Sequence, residues 1–395
     1  MADAVTAVSV GRRLAVFLDG TWDQASGNTN VWRLKSLCVS DPSQPIYYSA
    51  GVGTGPVDYF RGGVFGYGID DLLEGAYQWL VENYSEGDEL FIFGFSRGAF
   101  AARSLSGLIS RCGLLKLGAP LSIGQLYARY RRGNDVRTIH ELVEPEVDPT
   151  SFTNEERWLL RYSRPIPVKF TGVWDTVGAV ATSSVLHLLT GGDHSFLDVN
   201  LRKTEQNVFH ALAIDENRKV FDATLLSQYV PGIDPSAPWE SPRPLACVEQ
   251  RWFAGSHGNV GGGSYDDLLA QVPLRWLMSK AGKFGLQFRQ PLDLDEGAAA
   301  GAIEDSYRSF LKGTYALLHA EQRYWRPIAR APKPLTETVV HTINETIDVS
   351  VFDRWRNDAS YRPGNLLEWA KLHDARIEDL TVSCLASDPK APVPD

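Results

Sequence analysis

Residues 89–110 read ELFIFGFSRGAFAARSLSGLIS, and this stretch carries the strongest structural signal in the chain. Its first half is apolar on both faces, which is typical of a strand in the middle of a parallel sheet. Its second half, from Arg97 onward, is rich in Ala, Leu and Ile and predicts a helix. Between the two halves stands a G-x-S-x-G motif centred on Ser96. A strand, a sharp turn around a serine and a helix together define a nucleophile elbow.

The setting of Ser96 matters more than the motif, because a chain with 35 glycines easily contains G-x-S-x-G by chance. The alternative interpretation is a serine that only caps the helix, and such a serine would need neither Gly94 nor Gly98. The two glycines permit a strained turn and leave room for the neighbouring strand and helix. We therefore interpret Ser96 as a nucleophile, held at a helix N-terminus whose dipole favours a developing oxyanion.

Apolar runs and helical periodicity continue on both sides of this stretch. Strands are predicted at residues 14–18, 46–48, 167–174 and 247–254, and helices at residues 69–84 and 267–281. Pro273 marks either a kink in the last of these helices or its beginning. The alternation predicts an α/β-hydrolase-like fold, with a mostly parallel central sheet flanked by helices and joined by right-handed crossovers. We expect one domain over residues 1–385, with helical cap insertions at about 115–165 and 181–210, and a disordered tail at 386–395.

A serine nucleophile needs a base, and the base needs a carboxylate that orients it. In this fold the order along the chain is Ser, then the acid, then His. Asp175 and His257 each follow a predicted strand, and strand carboxyl ends are where an open parallel sheet places its catalytic loops. We assign His257 as the base and Asp175 as the acid, with Asp193 and Asp215 as rivals for the acid.

Glycines surround His257 at positions 255, 258 and 261–263, and they predict a flexible loop that folds back over the site. The remaining histidines lie in helical or irregular polar contexts, where we expect surface or packing roles. They are His140, His187, His194, His210, His319, His341 and His373.

The oxyanion hole needs two backbone N–H donors. We predict one from Arg97, which follows the nucleophile, and the other from Gly20 or Thr21 in the turn after the first strand. The side chain of Asp19 is expected to brace that turn, because Asp readily bonds nearby backbone N–H groups. The glycine-rich residues 51–55 are consistent with either a plain turn or a loop facing the substrate.

The chain of 395 residues is 44% hydrophobic and carries a formal net charge of −9. This composition predicts a substantial core and argues against a dedicated nucleic-acid binder. No window approaches the roughly 18 apolar residues of a membrane span, and no Sec signal is evident. We therefore expect a cytoplasmic protein, although export without a cleavable signal and transient contact with a membrane surface stay compatible with the sequence.

The four cysteines lie far apart, without the CxxC spacing of a metal site, and they predict reduced, packed thiols. A serine mechanism requires no metal and no organic cofactor, so we predict neither. The expected partner is an ester or lipid substrate, and the sequence leaves the oligomeric state open.

Several short motifs occur in the same order as in a known family. They are FLDGTW at 17–22, GVGTG at 51–55, GFSRGA at 94–99, GVWDTVG at 172–178, AIDE at 213–216, WFAGSH at 252–257, VGGG at 260–263 and YRPGNL at 361–366. Together they resemble the DUF2235 family over most of the chain. That family is similar to the α/β-hydrolases and includes the catalytic domain of one class of type VI secretion phospholipase effectors.

The resemblance implies that Ser96, Asp175 and His257 form a catalytic triad that cleaves a carboxylic ester, as an esterase or a phospholipase A does. Two positions depart from the family pattern. Asn259 stands where the family often has Asp, and Asp348 stands where it usually has His. We also expect the chain to lack the extra membrane-docking module of the effectors, which leaves the hydrolase interpretation intact.

Two other classes of function fit parts of the sequence. A phosphatase of the haloacid-dehalogenase type is suggested by the Asp-Gly-Thr at residues 19–21, but its chemistry requires a second Asp where Phe17 stands. A hydrolase fold kept as a catalytically silent binding module would not need a complete set of Ser, Asp and His. The sequence therefore favours a serine hydrolase of carboxylic esters, namely a lipolytic esterase or a phospholipase A-like enzyme.

Overall fold

The computed structural model describes residues 11–20, 27–51, 64–177, 201–202, 204–229, 243–263, 267–319, 322–329, 334–335 and 338–394. Its strands, in chain order, are β1 Arg13–Leu18, β2 Ile46–Ser49, β3 Glu89–Phe95, β4 Leu114–Leu115, β5 Ser163–Arg164, β6 Phe170–Trp174, β7 Val208–Ala213, β8 Ser227–Tyr229, β9 Val248–Phe253, β10 Pro334–Leu335, β11 Thr338–Thr342, β12 Glu345–Ile347, β13 Cys384–Leu385 and β14 Asp388–Pro392. Its helices are α1 Asn30–Leu37, α2 Val64–Asn83, α3 Arg97–Cys112, α4 Ile123–Arg131, α5 Ile139–Leu142, α6 Asn154–Tyr162, α7 His257–Gly261, α8 Gln271–Lys283, α9 Ser306–Ser309, α10 Thr314–Leu318, α11 Val349–Asn357 and α12 Gly364–Leu372.

A sheet of nine strands forms the centre of the described part of the chain, in the order β14-β13-β12-β9-β7-β6-β3-β1-β2. Every neighbouring pair from β2 to β12 is parallel, while β13 and β14 add two antiparallel strands at one edge. The helices α2 and α3 pack on one face of the sheet, and α1 and α8 pack on the other. This architecture confirms the predicted fold class, a mostly parallel central sheet flanked by helices.

The central position of β3 explains why its sequence is apolar on both faces. Leu90 and Ile92 pack with α2 and α3, whereas Phe91 and Phe93 pack with α1 and α8. The ring of Phe93 stacks on Phe17 of β1, with 4.9 Å between the ring centroids. Because side chains alternate along a strand, only an uninterrupted apolar run buries both faces. The turn that follows β3 is thereby anchored in the core.

The helical insertion at residues 115–165 lies beside α3. Its helices α4 and α5 pack on α3, and the thiol of Cys112 faces the carbonyl oxygen of Leu126 at 3.7 Å. Cys112 is the last residue of this helix of 16 residues, so it lies about 24 Å from the end that carries Ser96. The described contacts of the insertion are therefore with α3 and, through Tyr127 and Asp70, with α2, and its role as a cap over the sheet stays a prediction.

The structure also corrects the predicted bounds of the second insertion and of the C-terminal tail. Most of the predicted insertion at 181–210 lies outside the described residues, but its last three residues belong to β7, so it is shorter than predicted. The predicted disorder of the tail at 386–395 is wrong over Asp388–Pro392, because these residues form β14 and pair with β13. Pro389 and Pro392 are tolerated there, since an edge strand has one side without a ladder partner.

Two local features agree with the sequence analysis. Pro273 lies in the first turn of α8, so it marks the beginning of the helix and not a kink. The four cysteines are free thiols, three buried and one half-buried: Cys38, Cys112, Cys384 and Cys247.

Candidate active site

The carboxyl ends of five neighbouring parallel strands meet at one edge of the sheet and bring five polar residues to it. Asp19 follows β1, Ser96 follows β3, Asp175 follows β6, Asp215 lies just beyond β7, and His257 starts α7 after β9. In an open parallel sheet this edge is where ligands bind. The site is therefore assembled by the topology, from residues far apart in the sequence.

Ser96 sits in a strained turn between β3 and α3. Its backbone has φ 57° and ψ −122°, and its side chain makes no hydrogen bond to the helix that follows. A Cβ on Gly94 would stand 2.4 Å from the carbonyl oxygen of Gly98, so a side chain at position 94 does not fit while the strand and the helix stay this close. A serine that only caps a helix bonds the backbone of the first turn, so this geometry excludes the capping interpretation. A positive φ in a residue other than glycine costs roughly 1–3 kcal/mol and is typical of functional sites.

The hydroxyl of Ser96 is oriented toward His257. Its Oγ lies 2.9 Å from Nε2 of the imidazole, and Nδ1 of the same ring lies 2.5 Å from Oδ2 of Asp175. Both are hydrogen-bond distances. The structure thus brings together the three residues that the sequence suggested as nucleophile, base and acid. Asp215, a rival for the acid, bonds other partners, and Asp193 lies outside the described residues.

Asp175 is completely buried and pairs with a buried guanidinium. Nη1 and Nη2 of Arg326 lie 2.6 Å and 3.0 Å from its two carboxylate oxygens, and the N–H of Ala213 donates to Oδ1 at 3.0 Å. Burial alone would raise the pKa of Asp175, but the charge of Arg326 and the hydrogen bond from His257 outweigh it and hold the pKa below the usual range. Asp175 is therefore ionised. The sequence analysis missed Arg326, because it lies in an irregular segment without a motif or a periodicity.

Asp19 braces the turn after β1, as the sequence predicts. Its Oδ1 accepts a hydrogen bond from the N–H of Gly20 at 3.0 Å. Its Oδ2 accepts hydrogen bonds from the hydroxyls of Thr29 and Tyr48, at 2.7 Å and 3.0 Å. Burial raises the pKa of Asp19 to about 6, although each of these bonds lowers it.

The structure describes two of the three predicted oxyanion donors, Arg97 and Gly20. Arg97 is the first residue of α3, so its backbone N–H lies at the positive end of the helix dipole. The N–H of Gly20 donates to Asp19, which argues against Gly20 as the second donor. Thr21 lies outside the described residues, so its assignment stays a prediction.

A short helix, and not the predicted flexible loop, carries His257. Oδ1 of Asn259 accepts hydrogen bonds from the N–H and the hydroxyl of Ser256, and from the N–H of Glu304. Nδ2 of Asn259 donates to the carbonyl oxygen of Ala302 at 3.3 Å. An aspartate at this position could accept the first three bonds but could not donate the fourth. Asn259 therefore fixes the turn at the start of α7.

Two aromatic rings and a carboxylate also hold His257 in place. The ring of Phe95 lies 4.6 Å and that of Phe221 lies 5.2 Å from the imidazole, between ring centroids. The backbone N–H of His257 donates to Oε2 of Glu216 at 3.2 Å. Glu216 is itself buried and paired with the guanidinium of Arg218 at 2.8 Å. The imidazole is thus fixed both through its ring and through its backbone.

Asp215 holds the segment that leads to His257. Its Oδ2 accepts a hydrogen bond from the N–H of Gly255 at 2.7 Å and another from the hydroxyl of Tyr361 at 3.1 Å. Burial raises the pKa of Asp215 to about 7. Asp215 is therefore a support of the site.

Two positions near the C-terminus have structural roles. Nδ2 of Asn365 donates to the carbonyl oxygens of Ile214 and Arg326, at 2.8 Å and 3.0 Å. Asn365 thus ties the motif at residues 361–366 to the site. Asp348, at the position where the family usually has His, caps α11 by accepting a hydrogen bond from the N–H of Ser350.

His210 does not lie in the irregular polar surroundings that the sequence predicts. It belongs to β7 and is completely buried, and its Nε2 accepts a hydrogen bond from the N–H of Thr176 at 3.0 Å. Burial lowers the pKa of His210 to about 3, so the ring is neutral. His210 therefore fixes the residue that follows Asp175. A packing role is one of the two roles expected for this histidine, but it is reached from a strand and not from an irregular segment.

The family model described as "T6SS, Phospholipase effector Tle1-like, catalytic domain" matches residues 12–280, which is more than half of the chain. The chain belongs to this family. The matched part contains Ser96, Asp175 and His257. Arg326 lies beyond it.

Single proteins with similarity to this chain come from yeast and bacteria. The uncharacterized protein YEL023C of Saccharomyces cerevisiae is 29% identical over 234 residues, covering 54% of this chain and 32% of that protein. The chain thus spans about a third of the length of this relative. An uncharacterized protein from Pseudomonas aeruginosa is 16% identical over 98% of this chain and 60% of that chain, with a TM-score of 0.42. Thermogutta terrifontis esterase 2 phosphoramylated by tabun is 14% identical over 71% of this chain and 87% of that chain, with a TM-score of 0.37.

The described ranges contain neither a metal-like cluster nor a membrane-spanning helix. No three side chains of His, Cys, Asp or Glu in these ranges are arranged to hold a metal ion. None of the helices within the same ranges is long and apolar enough to cross a lipid bilayer.

Proposed function

We propose that the protein is a serine hydrolase that cleaves a carboxylic ester of a lipid through an acyl-enzyme on Ser96. The observation that carries the proposal is the hydrogen-bonded path from Oγ of Ser96 through His257 to Asp175, with distances of 2.9 Å and 2.5 Å. Membership in a family of phospholipase effectors supports a lipid as the substrate class. The bond to be cleaved is the acyl ester, because a serine activated by a histidine is suited to acyl transfer.

In the acylation step, Oγ of Ser96 attacks the carbonyl carbon of the ester while its proton passes to Nε2 of His257. The negative charge moves to the carbonyl oxygen, where the N–H of Arg97 at the start of α3 stabilises it. The bond to the alcohol then breaks, and the leaving alcohol takes the proton from Nε2. Asp175 keeps the proton on Nδ1 and stabilises the imidazolium that forms in passing.

Deacylation repeats these steps with water as the nucleophile. His257 takes a proton from the water molecule, whose oxygen adds to the acyl carbonyl, and the proton then passes to Oγ of Ser96 as the carboxylic acid leaves. The enzyme returns to its starting protonation state. Neither half-reaction uses a metal ion or an organic cofactor.

The test compares the wild type with Ser96→Ala and with Ser36→Ala, which removes an exposed hydroxyl on α1 as a matched control. Each protein is treated with a fluorophosphonate probe and then assayed on p-nitrophenyl acyl esters and on phosphatidylcholine vesicles. We expect labelling and fatty-acid release in the wild type and in Ser36→Ala. In Ser96→Ala we expect no labelling and a turnover lower by about 10³-fold or more.

Two outcomes would overturn the proposal. A folded wild type that is not labelled and releases no fatty acid would be a catalytically silent binding module. p-Nitrophenyl phosphate is assayed beside the acyl esters, and a wild type that releases p-nitrophenol faster from this phosphate than from the acyl ester would be a phosphatase.

A further inference from the structure

Arg326 lies outside the family-matched residues 12–280, yet it contacts the carboxylate of the candidate triad. Its side chain is only 1% exposed, and its two terminal nitrogens lie 2.6 Å and 3.0 Å from the two oxygens of Asp175. Two parallel N–H···O bonds between a guanidinium and a carboxylate form a planar, bidentate pair. The pair is therefore specific in geometry as well as in charge.

Arg326 is itself fixed by other segments of the chain. Its Nη1 donates to the carbonyl oxygen of Ala213 at 2.9 Å, and its Nη2 donates to the carbonyl oxygen of Phe221. Its own carbonyl oxygen accepts a hydrogen bond from Asn365 at 3.0 Å. The guanidinium plane is thus set before any substrate binds, and it can impose its orientation on Asp175.

Among the described residues, four donors surround Asp175 and divide evenly between its two oxygens. Oδ1 accepts from the N–H of Ala213 and from Nη1 of Arg326, while Oδ2 accepts from Nη2 of Arg326 and from Nδ1 of His257. Rotation of the carboxylate about its Cβ–Cγ bond would break both bonds to the guanidinium together. The bidentate pair therefore keeps Oδ2 directed at the imidazole.

The positive charge of Arg326 also stabilises Asp175. A completely buried carboxylate needs a counter-charge, because the loss of hydration penalises an isolated ion. The neutral form of His257, which must be present to accept the proton of Ser96, does not supply one. Glu216 and Asp222 also act electrostatically on Arg326, but the ion pair is made with Asp175.

We infer that Arg326 is a positioning residue of the triad, which keeps Asp175 ionised and fixes the plane of its carboxylate so that Oδ2 faces Nδ1 of His257. This inference rests on the proposed function. It assigns a role in the site to a segment beyond the part of the chain that the family model matches.

A double-mutant cycle tests the inference. It compares the wild type, Arg326→Met, Asp175→Asn and the double variant, with kcat and KM for an acyl ester and the rate of fluorophosphonate labelling as readouts. If Arg326 acts through Asp175, Arg326→Met lowers kcat roughly 10²-fold in the wild-type background but less than about threefold when residue 175 is already Asn. KM stays nearly unchanged, because Arg326 does not touch the substrate.

Arg326→Lys and Arg323→Met complete the experiment. Lysine keeps the charge but lacks the planar fork, so we expect its kcat to lie between those of the wild type and Arg326→Met. Arg323 lies three residues away and bonds Asp305 and Asn217, so Arg323→Met serves as the matched control with nearly unchanged activity. Circular dichroism and thermal melting verify that each variant is folded, and Arg326→Lys replaces Arg326→Met in the cycle if the latter does not fold.

The outcomes separate the inference from the proposed function. If the wild type is active but Arg326→Met lowers kcat by the same factor with Asp or with Asn at position 175, Arg326 only braces the loops at Ala213 and Phe221. The inference would then be wrong. A wild type that neither turns over esters nor reacts with the probe would overturn the proposed function and the inference with it. If the effects of Arg326→Met and Asp175→Asn on kcat are strongly non-additive and Arg326→Lys keeps partial activity, the proposed function and the inference are both supported.

Discussion

Gly98 approaches Leu18 so closely that a Cβ on the glycine would stand 2.2 Å from the carbonyl oxygen of Leu18. The first turn of α3 and the end of β1 therefore pack backbone to backbone, directly beside Ser96. An alanine at position 98 has to push the helix away from the strand, and Ser96 would move relative to His257. We expect Gly98→Ala to lower kcat by about 10²-fold or more, since a displacement of about 1 Å is enough for such a loss. Ester turnover measures the effect.

Gly124 in α4 supplies the control for this substitution. A Cβ there would approach no atom closer than 3.8 Å apart from its own chain neighbours and helix backbone, so Gly124→Ala should leave turnover unchanged. It should also stabilise the protein, by up to about 1 kcal/mol, because alanine favours a helix over glycine. Full activity in Gly98→Ala would show that the close approach to Leu18 does not position Ser96.

The candidate triad could be predicted because each member directly follows a recognisable strand. The strand-like segments before Ser96, Asp175 and His257 mark strand ends, and parallel strands place their carboxyl ends at one edge. The order of the three residues along the chain then limits the choice of acid. The prediction of the triad therefore rests on local sequence patterns and on the rule that parallel strands end at the same edge of a sheet.

The supporting residues could not be predicted in this way. Arg326 reaches Asp175 from an irregular segment 151 residues later, and nothing in its local sequence distinguishes it from an arginine on the surface. The predicted insertion at 181–210 rests on the Gly and polar residues between 181 and 200, and it extends over the first residues of β7, including His210. The prolines of residues 388–392 predict disorder, but the segment forms an edge strand, which tolerates them. Each error comes from a tertiary contact that local pattern does not encode.

Chelation should leave the activity intact. Every proton and charge in the proposed mechanism is carried by side chains, backbone N–H groups and water, so no step waits for a metal ion. After dialysis against EDTA, we expect kcat on a soluble acyl ester to match that of the undialysed protein. A loss of activity that returns on addition of a divalent cation would contradict the mechanism.

The hydrogen bond between Tyr361 and Asp215 should contribute more to stability at high pH than at low pH. The pKa of Asp215 is raised to about 7 by burial, and the bond from Tyr361 lowers it from a still higher value. A hydrogen bond to an ionised carboxylate is stronger than one to its neutral form. Tyr361→Phe should therefore reduce the free energy of unfolding by about 1 kcal/mol at pH 5.5 and by about 2 kcal/mol at pH 8.5.

Urea unfolding of Tyr361→Phe and the wild type at both pH values measures this difference. Tyr162→Phe, in the outer helix α6, serves as the matched control and should show the same small effect at both pH values. If the loss in Tyr361→Phe were equal at pH 5.5 and pH 8.5, Asp215 would not titrate between them, and its ionised form would not be the acceptor.

Asp19 should make the protein less stable as the pH rises from 4 to 6. Burial raises its pKa from the ordinary value of 3.8 to about 6, so the folded protein binds this proton more tightly than the unfolded chain does. The contribution to stability is fully present below about pH 4 and is lost as the pH rises through 6. A shift of this size corresponds to about 3 kcal/mol over the window.

Asp19→Asn removes the titration while its side-chain oxygen can still accept the hydrogen bond from Gly20. We therefore expect the free energy of unfolding of Asp19→Asn to fall less than that of the wild type between pH 4 and pH 7, so that the variant gains relative stability at neutral pH. Asp41→Asn is the control of opposite sign: the bonds from Ser43 lower the pKa of this exposed carboxyl, so its contribution is lost as the pH falls below 4. Above pH 4, the free energy of unfolding of Asp41→Asn should therefore change with pH in the same way as that of the wild type. Urea unfolding at each pH unit from 3 to 8 distinguishes the three proteins. Parallel curves for Asp19→Asn and the wild type would show that the pKa of Asp19 is not raised on folding, because the bonds from Gly20, Thr29 and Tyr48 fully offset the penalty of burial.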